Sequence, residues 1–140
     1  MILIDAGPLV ALLDKGDKKA HKKCTAAFRS LKSPPLTTWP CLTEAFYLIG
    51  IKRGWTGRKN LLALLTIRAI RVHTPTDGEL GRIDALMTQY KDTPMSFADA
   101  SLVSLAEVTG AKSIFTLDSD FHIYRINGKD PFDVIPLDKR

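Results

Sequence analysis

Four acidic residues, widely separated along the chain, lie where a predicted strand ends or a predicted helix begins. Asp5 and Asp118 each follow a short apolar run that is typical of a buried strand. Glu44 and Asp99 lie near the start of helical patterns. In an open α/β sheet, strand ends and the helices that follow them share one edge, and ligands bind there. Four carboxylates at one edge repel one another unless a cation lies between them, so the sequence predicts a metal site with oxygen ligands.

The residue types select the metal and the chemistry. Carboxylates favour hard cations such as Mg²⁺ or Mn²⁺, and the chain contains no HExxH or CxxC spacing that would indicate zinc. Its three histidines are far apart in sequence, and only His122 is close to one of the acids, Asp118. A bound divalent metal lowers the pKa of a water ligand and stabilises negative charge in a transition state. Such a site therefore suits the hydrolysis of phosphodiesters.

Each acid also has an ordinary structural explanation. Carboxylates are common in the first turn of a helix, because they accept hydrogen bonds from free backbone N–H groups and interact favourably with the helix dipole. For Glu44 and Asp99 taken singly, this explanation is at least as good as a functional one. Asp5 could cap the helix that begins near Pro8. The joint pattern of four acids at one predicted edge is what favours a site.

The length and composition predict one soluble domain over residues 1–140. Of the 140 residues, 45% are hydrophobic and 25% are charged, which is usual for globular proteins. There is no apolar run of 18 residues, so no membrane-spanning helix is predicted. The first apolar run is not preceded by a charged segment, which argues against a signal peptide and for a cytoplasmic protein.

The charge balance indicates a basic surface. The net charge is +5 and the isoelectric point is about 9.3, although several acids belong to the predicted site. A positive surface attracts polyanions, of which RNA and DNA are the usual candidates. Mildly basic soluble proteins are common, however, so the charge alone is weak support for nucleic-acid binding.

Short apolar strands alternate with helical segments, which predicts a central, mostly parallel sheet of four to five strands flanked by helices. The predicted strands are residues 2–4, 36–39, 70–74 and 114–117, with a short edge strand at 134–137. The predicted helices are residues 8 to about 16, 17–32, 40–54, 56–68, 77–90 and 96–110. Residues 118–127 are predicted to be a loop with some local structure.

Several surface features suggest contacts with partners. The helix at 56–68 is apolar around its circumference, which places it centrally or at a contact between subunits and predicts a homodimer. Trp39 and Trp55 could stack on unpaired bases, but core or interface packing is the better explanation. A phosphate backbone could contact four cations that flank the turn at Gly54 and Gly57, namely Lys52, Arg53, Arg58 and Lys59.

Four short motifs, in order along the chain, resemble those of PIN-domain ribonucleases and, within them, the VapC toxins of type II toxin–antitoxin pairs. Residues 4–12 (IDAGPLVAL) are similar to the opening strand, acid and helix of the family. Glu44 corresponds to a glutamate that the family carries on a helix, and Asp99 to the aspartate of its Asp-Ala pair at a helix start. Residues 116–121 (TLDSDF) are similar to its closing motif. The resemblance spans almost the whole chain.

The resemblance implies a PIN-like three-layer sandwich and a Mg²⁺- or Mn²⁺-dependent endoribonuclease. The implied catalytic residues are Asp5, Glu44, Asp99 and Asp118. In this family, three aspartates hold the metal directly or through water, and the glutamate helps to bind metal or orients the attacking water. The implied products carry a 5′-phosphate and a 3′-hydroxyl. The implied partners are an RNA substrate and a cognate antitoxin.

Three further residues matter less in this comparison. Asp120 is a metal ligand of second rank, for a second ion or a proton. Thr116 is expected to support Asp118, or a water, by a hydrogen bond. Ala6 departs from the family, which often has serine or threonine there, so a hydroxyl near the metal is missing while every carboxylate is retained.

Other functions compete with this one. A catalytically silent module that binds RNA or a protein on the same fold is disfavoured by the retention of all four acids. A nuclease that cuts DNA is harder to exclude, because a carboxylate–metal site can hydrolyse either polymer. A receiver-type α/β domain would need a second acid beside the one after the first strand, and Asp5-Ala6-Gly7 lacks it.

Overall fold

A parallel sheet of five strands forms the centre of the computed structural model, which describes residues 1–136. In chain order, the strands of this sheet are β1 (Ile2–Ile4), β2 (Leu36–Thr38), β3 (Arg71–His73), β4 (Ser113–Phe115) and β7 (Asp133–Ile135). Two further strands, β5 (Arg125–Ile126) and β6 (Asp130–Pro131), form a separate pair. The helices are α1 (Ala6–Leu13), α2 (Lys18–Arg29), α3 (Trp39–Thr66), α4 (Asp77–Gln89) and α5 (Phe97–Thr109), with a 3₁₀ helix at Ser119–His122.

The strand order β3-β2-β1-β4-β7 places a topological switch between β1 and β4. The chain runs outward from β1 through β2 to β3, and then crosses back so that β4 lies on the other side of β1. Ile4 pairs with Phe115 in register, and the next residue, Asp5, donates its N–H to the Phe115 carbonyl at 3.0 Å. A crevice at the carboxyl ends of β1 and β4 is the expected ligand site of such a sheet.

Helices cover both faces of the sheet and create two hydrophobic cores. Ile4 and Phe115 point into a core with α1, α2 and α3. Leu3 and Ile114, their neighbours along the strands, point into a core with α4 and α5. The alternation follows from the two-residue period of a strand, and strands buried on both faces explain why β1 and β4 are continuous apolar runs. The predicted α/β three-layer sandwich is therefore confirmed.

Helix α3 contains the break that the sequence predicted between two helices. The backbone is helical from Trp39 to Thr66 except at Gly54, where φ is 57° and ψ is −145°. A residue with a β-carbon is strained in that region, whereas glycine adopts it freely. The two predicted helices therefore form one long helix with a kink, ending at Thr66 rather than at residue 68.

Some predicted boundaries differ from the structure. Strand β2 ends at Thr38, because its hydroxyl accepts the Cys41 N–H at 3.4 Å and caps α3, so Trp39 begins the helix. Strand β4 ends at Phe115, two residues before the predicted end. The loop predicted at 118–127 holds the 3₁₀ helix and β5, which pairs antiparallel with β6. The predicted strand at 134–137 is β7, and Leu137 lies outside the described residues.

Two further observations concern membranes and cysteines. Within residues 1–136, no helix combines the length and the apolarity that a membrane crossing requires. Cys24 and Cys41 are both fully buried as free thiols.

Truncation of one core leucine on α4 should destabilise the protein far more than truncation of an exposed one. Leu86 is 0% exposed, so Leu86→Ala leaves a cavity and should lower the free energy of unfolding by about 2–5 kcal/mol. Leu80, on the same helix, is 49% exposed, and Leu80→Ala should cost less than about 1 kcal/mol. Urea denaturation of both variants measures the difference, and equal losses would contradict the assignment of this core.

Candidate metal centre

Three carboxylates converge at the switch between β1 and β4. Asp5, Asp99 and Asp118 each offer an oxygen, and these atoms all lie within 4.8 Å of one another. Asp5 follows β1 and caps α1, Asp99 is the third residue of α5, and Asp118 follows β4 and caps the 3₁₀ helix. Asp5 and Asp99 are buried, while Asp118 is partly exposed.

Asp5 is held by hydrogen bonds to both of its oxygens. Oδ1 accepts the Ala6 N–H at 2.7 Å, and Oδ2 accepts the Thr116 hydroxyl at 2.8 Å. Burial nevertheless raises the pKa of Asp5 to about 6, and the negative charges of Asp99 and Glu44 add to the shift. The two hydrogen bonds act in the opposite direction. The carboxylate is therefore fixed in place while its negative charge is destabilised.

Asp99 combines a helix cap with a buried contact. Its Oδ2 accepts the Ser96 N–H at 3.2 Å, and the Ser96 hydroxyl accepts the Asp99 N–H at 3.0 Å, so the two residues form a capping box. The same Oδ2 accepts the Tyr124 hydroxyl at 3.1 Å. Burial raises the pKa of Asp99, and the charge of Asp118 contributes in the same direction.

Asp118 is oriented by its own turn. Its Oδ1 accepts the Asp120 N–H at 2.9 Å, and its N–H is donated to the Thr116 hydroxyl at 3.0 Å. Thr116 was expected to support Asp118 or a water by a hydrogen bond. In the structure its hydroxyl accepts the Asp118 N–H, and it also donates to the Asp5 carboxylate. This one threonine therefore connects two of the three converging acids.

The remaining acids, Glu44 and Asp120, line the same pocket of about 410 Å³. Glu44 lies on α3 and is exposed, outside the group of three carboxylates. Partial burial raises the pKa of Glu44, as do the charges of Asp99 and Asp118. The structure thus brings together all five acids that the sequence singled out. His122 is exposed and is not among the described residues that line the pocket.

Tyr124 is a contact residue of the site that the sequence did not reveal. It is 0% exposed, and burial raises the pKa of its hydroxyl, with the Asp99 charge as the next cause. The hydroxyl therefore remains a hydrogen-bond donor. A lone tyrosine in an apolar segment predicts core packing, and no spacing rule relates it to an aspartate 25 residues earlier.

An apolar groove of about 890 Å³ adjoins the acidic pocket and shares Glu44 and Ser96 with it. Trp39 lines the groove at 50% exposure, with its indole N–H donated to the Thr74 hydroxyl at 3.1 Å. Trp55 is 67% exposed. The expectation of core packing is therefore wrong for both tryptophans, which leaves interface packing and base stacking as their predicted roles.

Two of the cations predicted to contact phosphates are paired with an acid. Arg53 Nε lies 2.8 Å from Asp14 Oδ1, and Lys52 Nζ lies 3.8 Å from Asp14 Oδ2. Asp14 is buried, and although burial opposes it, the hydrogen bond from Arg53 holds its pKa below the usual range. A phosphate would have to compete with this carboxylate for both cations.

The donor set fits a hard divalent cation. It consists of carboxylate oxygens held close together, with the pKa values of Asp5 and Asp99 raised by burial and by like charge. A cation between them would replace repulsion by attraction. Mg²⁺ and Mn²⁺ prefer such oxygen ligands, whereas the nitrogen and sulfur ligands of structural zinc sites do not take part.

Comparison with known families assigns the protein to a family. The sequence model of the PIN domain matches residues 2–127. The chain belongs to the PIN domain family. The resemblance that four short motifs indicated is thereby confirmed. The match includes all five acids of the pocket as well as Thr116 and Tyr124.

Solved structures show the same PIN fold. VapC20 of Mycobacterium tuberculosis, described as a toxin that cleaves the sarcin–ricin loop, matches with a TM-score of 0.78 and 19% identity, over 86% of this chain and 92% of that one. VapBC2 of Rickettsia felis, bound to a DNA fragment from its promoter, matches with a TM-score of 0.65 and 12% identity, over 96% and 98%. No curated protein sequence shows a significant match.

Removal of one charge from the site should stabilise the metal-free protein at neutral pH. Asp5 has an ordinary pKa of 3.8 and a folded-state pKa of about 6, so the folded state binds the proton more tightly and stability falls as the pH rises through this interval. Asp5→Asn removes this penalty. It should raise the free energy of unfolding by about 1–3 kcal/mol at pH 7 and by much less below pH 4.

Urea denaturation in EDTA at pH 4 and pH 7 measures this effect. Asp84→Asn, at an exposed position on α4, is the matched control and should show little change at either pH. A destabilised Asp5→Asn protein at pH 7 would contradict the charge-repulsion account.

Proposed function

We propose that this PIN domain is a Mg²⁺- or Mn²⁺-dependent endoribonuclease and the toxin of a toxin–antitoxin pair, with residues 1–140 as one domain. One observation carries the proposal, namely the convergence of Asp5, Asp99 and Asp118 within 4.8 Å in a chain of this family. The described activity of VapC20, which has the same fold, supports RNA as the substrate.

The three converging aspartates are the proposed metal ligands. Asp5, Asp99 and Asp118 would hold the ion, with Asp5 fixed by Thr116 and Asp99 fixed by its capping box. A bound ion supplies positive charge to the phosphate and a water of lowered pKa. The carboxylates are preorganised for metal binding, because each is positioned by hydrogen bonds to its own turn or helix start.

Glu44 and Asp120 are the proposed groups for water and proton. The water oxygen forms a bond to phosphorus while the bond from phosphorus to the 3′ oxygen breaks. The 3′ oxygen takes up a proton from solvent, so the product strand ends are a 5′-phosphate and a 3′-hydroxyl. Glu44 has a raised pKa and faces the pocket, so it is suited to orient the water and accept its proton. Asp120, of second rank, is placed to hold a second ion or to accept a proton.

The proposal includes partners and a location. The similarity of fold to VapBC2 supports a cognate antitoxin as one partner. A second copy of the chain is the other, since exposed apolar residues include Leu62 on α3, at 39%, and Ile67 directly after that helix, at 71%. We place the protein in the cytoplasm, where its proposed RNA substrate is found.

Asp99→Asn should abolish metal-dependent cleavage of RNA without unfolding the chain. The change retains the shape of the side chain and the capping interaction but removes a charge from the proposed ligand set. Cleavage of total RNA in Mg²⁺ or Mn²⁺ should fall by about 100-fold or more, to the level seen with EDTA. Growth arrest on expression should be relieved in parallel.

Asp84→Asn is the control for this assay and should cleave like the wild type. Unchanged cleavage by folded Asp99→Asn protein would refute the site. Cleavage of single- or double-stranded DNA but not of RNA would identify a DNA nuclease. Binding of RNA by the wild type without cleavage in either metal would identify a silent module.

The protein should be a dimer whose contact includes the C-terminal half of α3. Light scattering at micromolar concentration should give twice the 15.5 kDa chain mass. Leu62→Glu places a charge in the proposed contact and should shift the protein toward the monomer, because an unpaired buried charge is costly. Val108→Glu, on an exposed site of α5, is the control and should remain dimeric. A monomeric wild type would contradict the prediction.

A further inference from the structure

Tyr124 contacts one of the three converging aspartates from outside the turns and helix starts that carry them. Among the residues that the structure describes, it is the only fully buried aromatic side chain that hydrogen-bonds one of these aspartates. Its hydroxyl donates to Asp99 Oδ2 at 3.1 Å, and that oxygen also accepts the Ser96 N–H at 3.2 Å. Two donors on one carboxylate oxygen occupy both of its lone pairs. The other oxygen of Asp99 is then the one left for a cation.

We propose that Tyr124 is a positioning residue that restricts Asp99 to binding the cation through a single oxygen. The inference rests on the proposed metal-dependent function and adds a residue to it. Without the tyrosine hydroxyl, Oδ2 would regain a free lone pair, and the carboxylate could turn to offer both oxygens. Hydrogen bonds from outside the ligand set are a common means of orienting metal ligands, and their loss typically weakens metal affinity by about 10–100-fold.

The tyrosine ring is itself held rigidly. Its centroid lies 5.2 Å from that of Tyr90 and 5.1 Å from that of Phe121, with edge-to-face angles of 73° and 86°. Its backbone N–H is donated to the Asp120 carbonyl at 3.1 Å. Tyr124 therefore ties α5, which carries Asp99, to the turn that carries the Asp118 side chain.

Packing alone does not account for the hydroxyl. A phenylalanine would make the same edge-to-face contacts with Tyr90 and Phe121, and would avoid placing a polar atom at a fully buried position. The hydroxyl has one described partner, Asp99. The role of the Tyr124 hydroxyl is therefore to hydrogen-bond the Asp99 carboxylate.

Mn²⁺ binding, followed by electron paramagnetic resonance of the free ion, tests the proposal without reference to catalysis. Tyr124→Phe should weaken Mn²⁺ affinity by about 10-fold or more. Tyr90→Phe is the matched control, because the Tyr90 hydroxyl accepts the Arg125 N–H at 3.1 Å and does not contact the acids. It should change the affinity by less than about threefold.

Metal selectivity separates positioning from loss of structure. Ca²⁺ accepts carboxylates through two oxygens and tolerates irregular geometry, whereas Mg²⁺ requires a near-ideal octahedron. Tyr124→Phe should therefore raise the ratio of Ca²⁺ to Mg²⁺ affinity, measured by competition against Mn²⁺. A role in packing alone would lower the melting temperature and leave this ratio unchanged.

A chain with 4-aminophenylalanine in place of Tyr124 retains a donor at the same position and should restore affinity and selectivity to near the wild-type values. The 4-aminophenylalanine chain also provides the test if Tyr124→Phe fails to fold. If the 4-aminophenylalanine chain folds but binds Mn²⁺ more weakly than the wild type, the proposal is overturned. Equal affinity and selectivity of wild type and Tyr124→Phe would overturn this inference alone. Absence of Mn²⁺ binding by the wild type would instead overturn the proposed function on which it rests.

Discussion

Repulsion among three carboxylates is the constraint around which the rest of the structure is organised. Oxygens of Asp5, Asp99 and Asp118 lie within 4.8 Å of one another, and burial disfavours the negative charges of Asp5 and Asp99. Backbone hydrogen bonds partly offset this repulsion, since each acid accepts at least one hydrogen bond from a backbone N–H. The two hydrophobic cores on either side of the sheet must supply the stability that the site opposes.

The topology explains how acids from opposite ends of the chain meet. Because β4 returns to lie beside β1, the residues after these strands emerge at the same edge, and Thr116 can donate to Asp5 across the strand boundary. Helix α5 then approaches the same edge with its amino terminus, which carries Asp99. The crevice is a consequence of strand order, and any chain with this crossover has a comparable opening at that place.

Much of this could be predicted from the sequence, for identifiable reasons. Apolar runs revealed β1 and β4, and the helical pattern of residues 96–110 revealed α5, because both are local patterns. The end of β4 was placed too late, since Leu117 is apolar yet 45% exposed beyond the strand. The β5–β6 hairpin and the contact of Tyr124 with Asp99 were not predicted, because they depend on tertiary packing that no local pattern encodes. The roles of the acids in catalysis stay predictions.

The capping explanation and the functional explanation of these acids are compatible, because they use different parts of each carboxylate. Asp99 completes the capping box of α5 through Oδ2, and Asp118 caps its turn through Oδ1, so each retains an oxygen without a described partner. A cap does not require an acid, since serine, threonine or asparagine would serve at Asp5 and Asp118 without mutual repulsion. Capping therefore does not explain why two aspartate caps and the Asp99 carboxylate converge on one place. An attractive interaction with a cation at that place is the simplest reason for the fold to retain the charge.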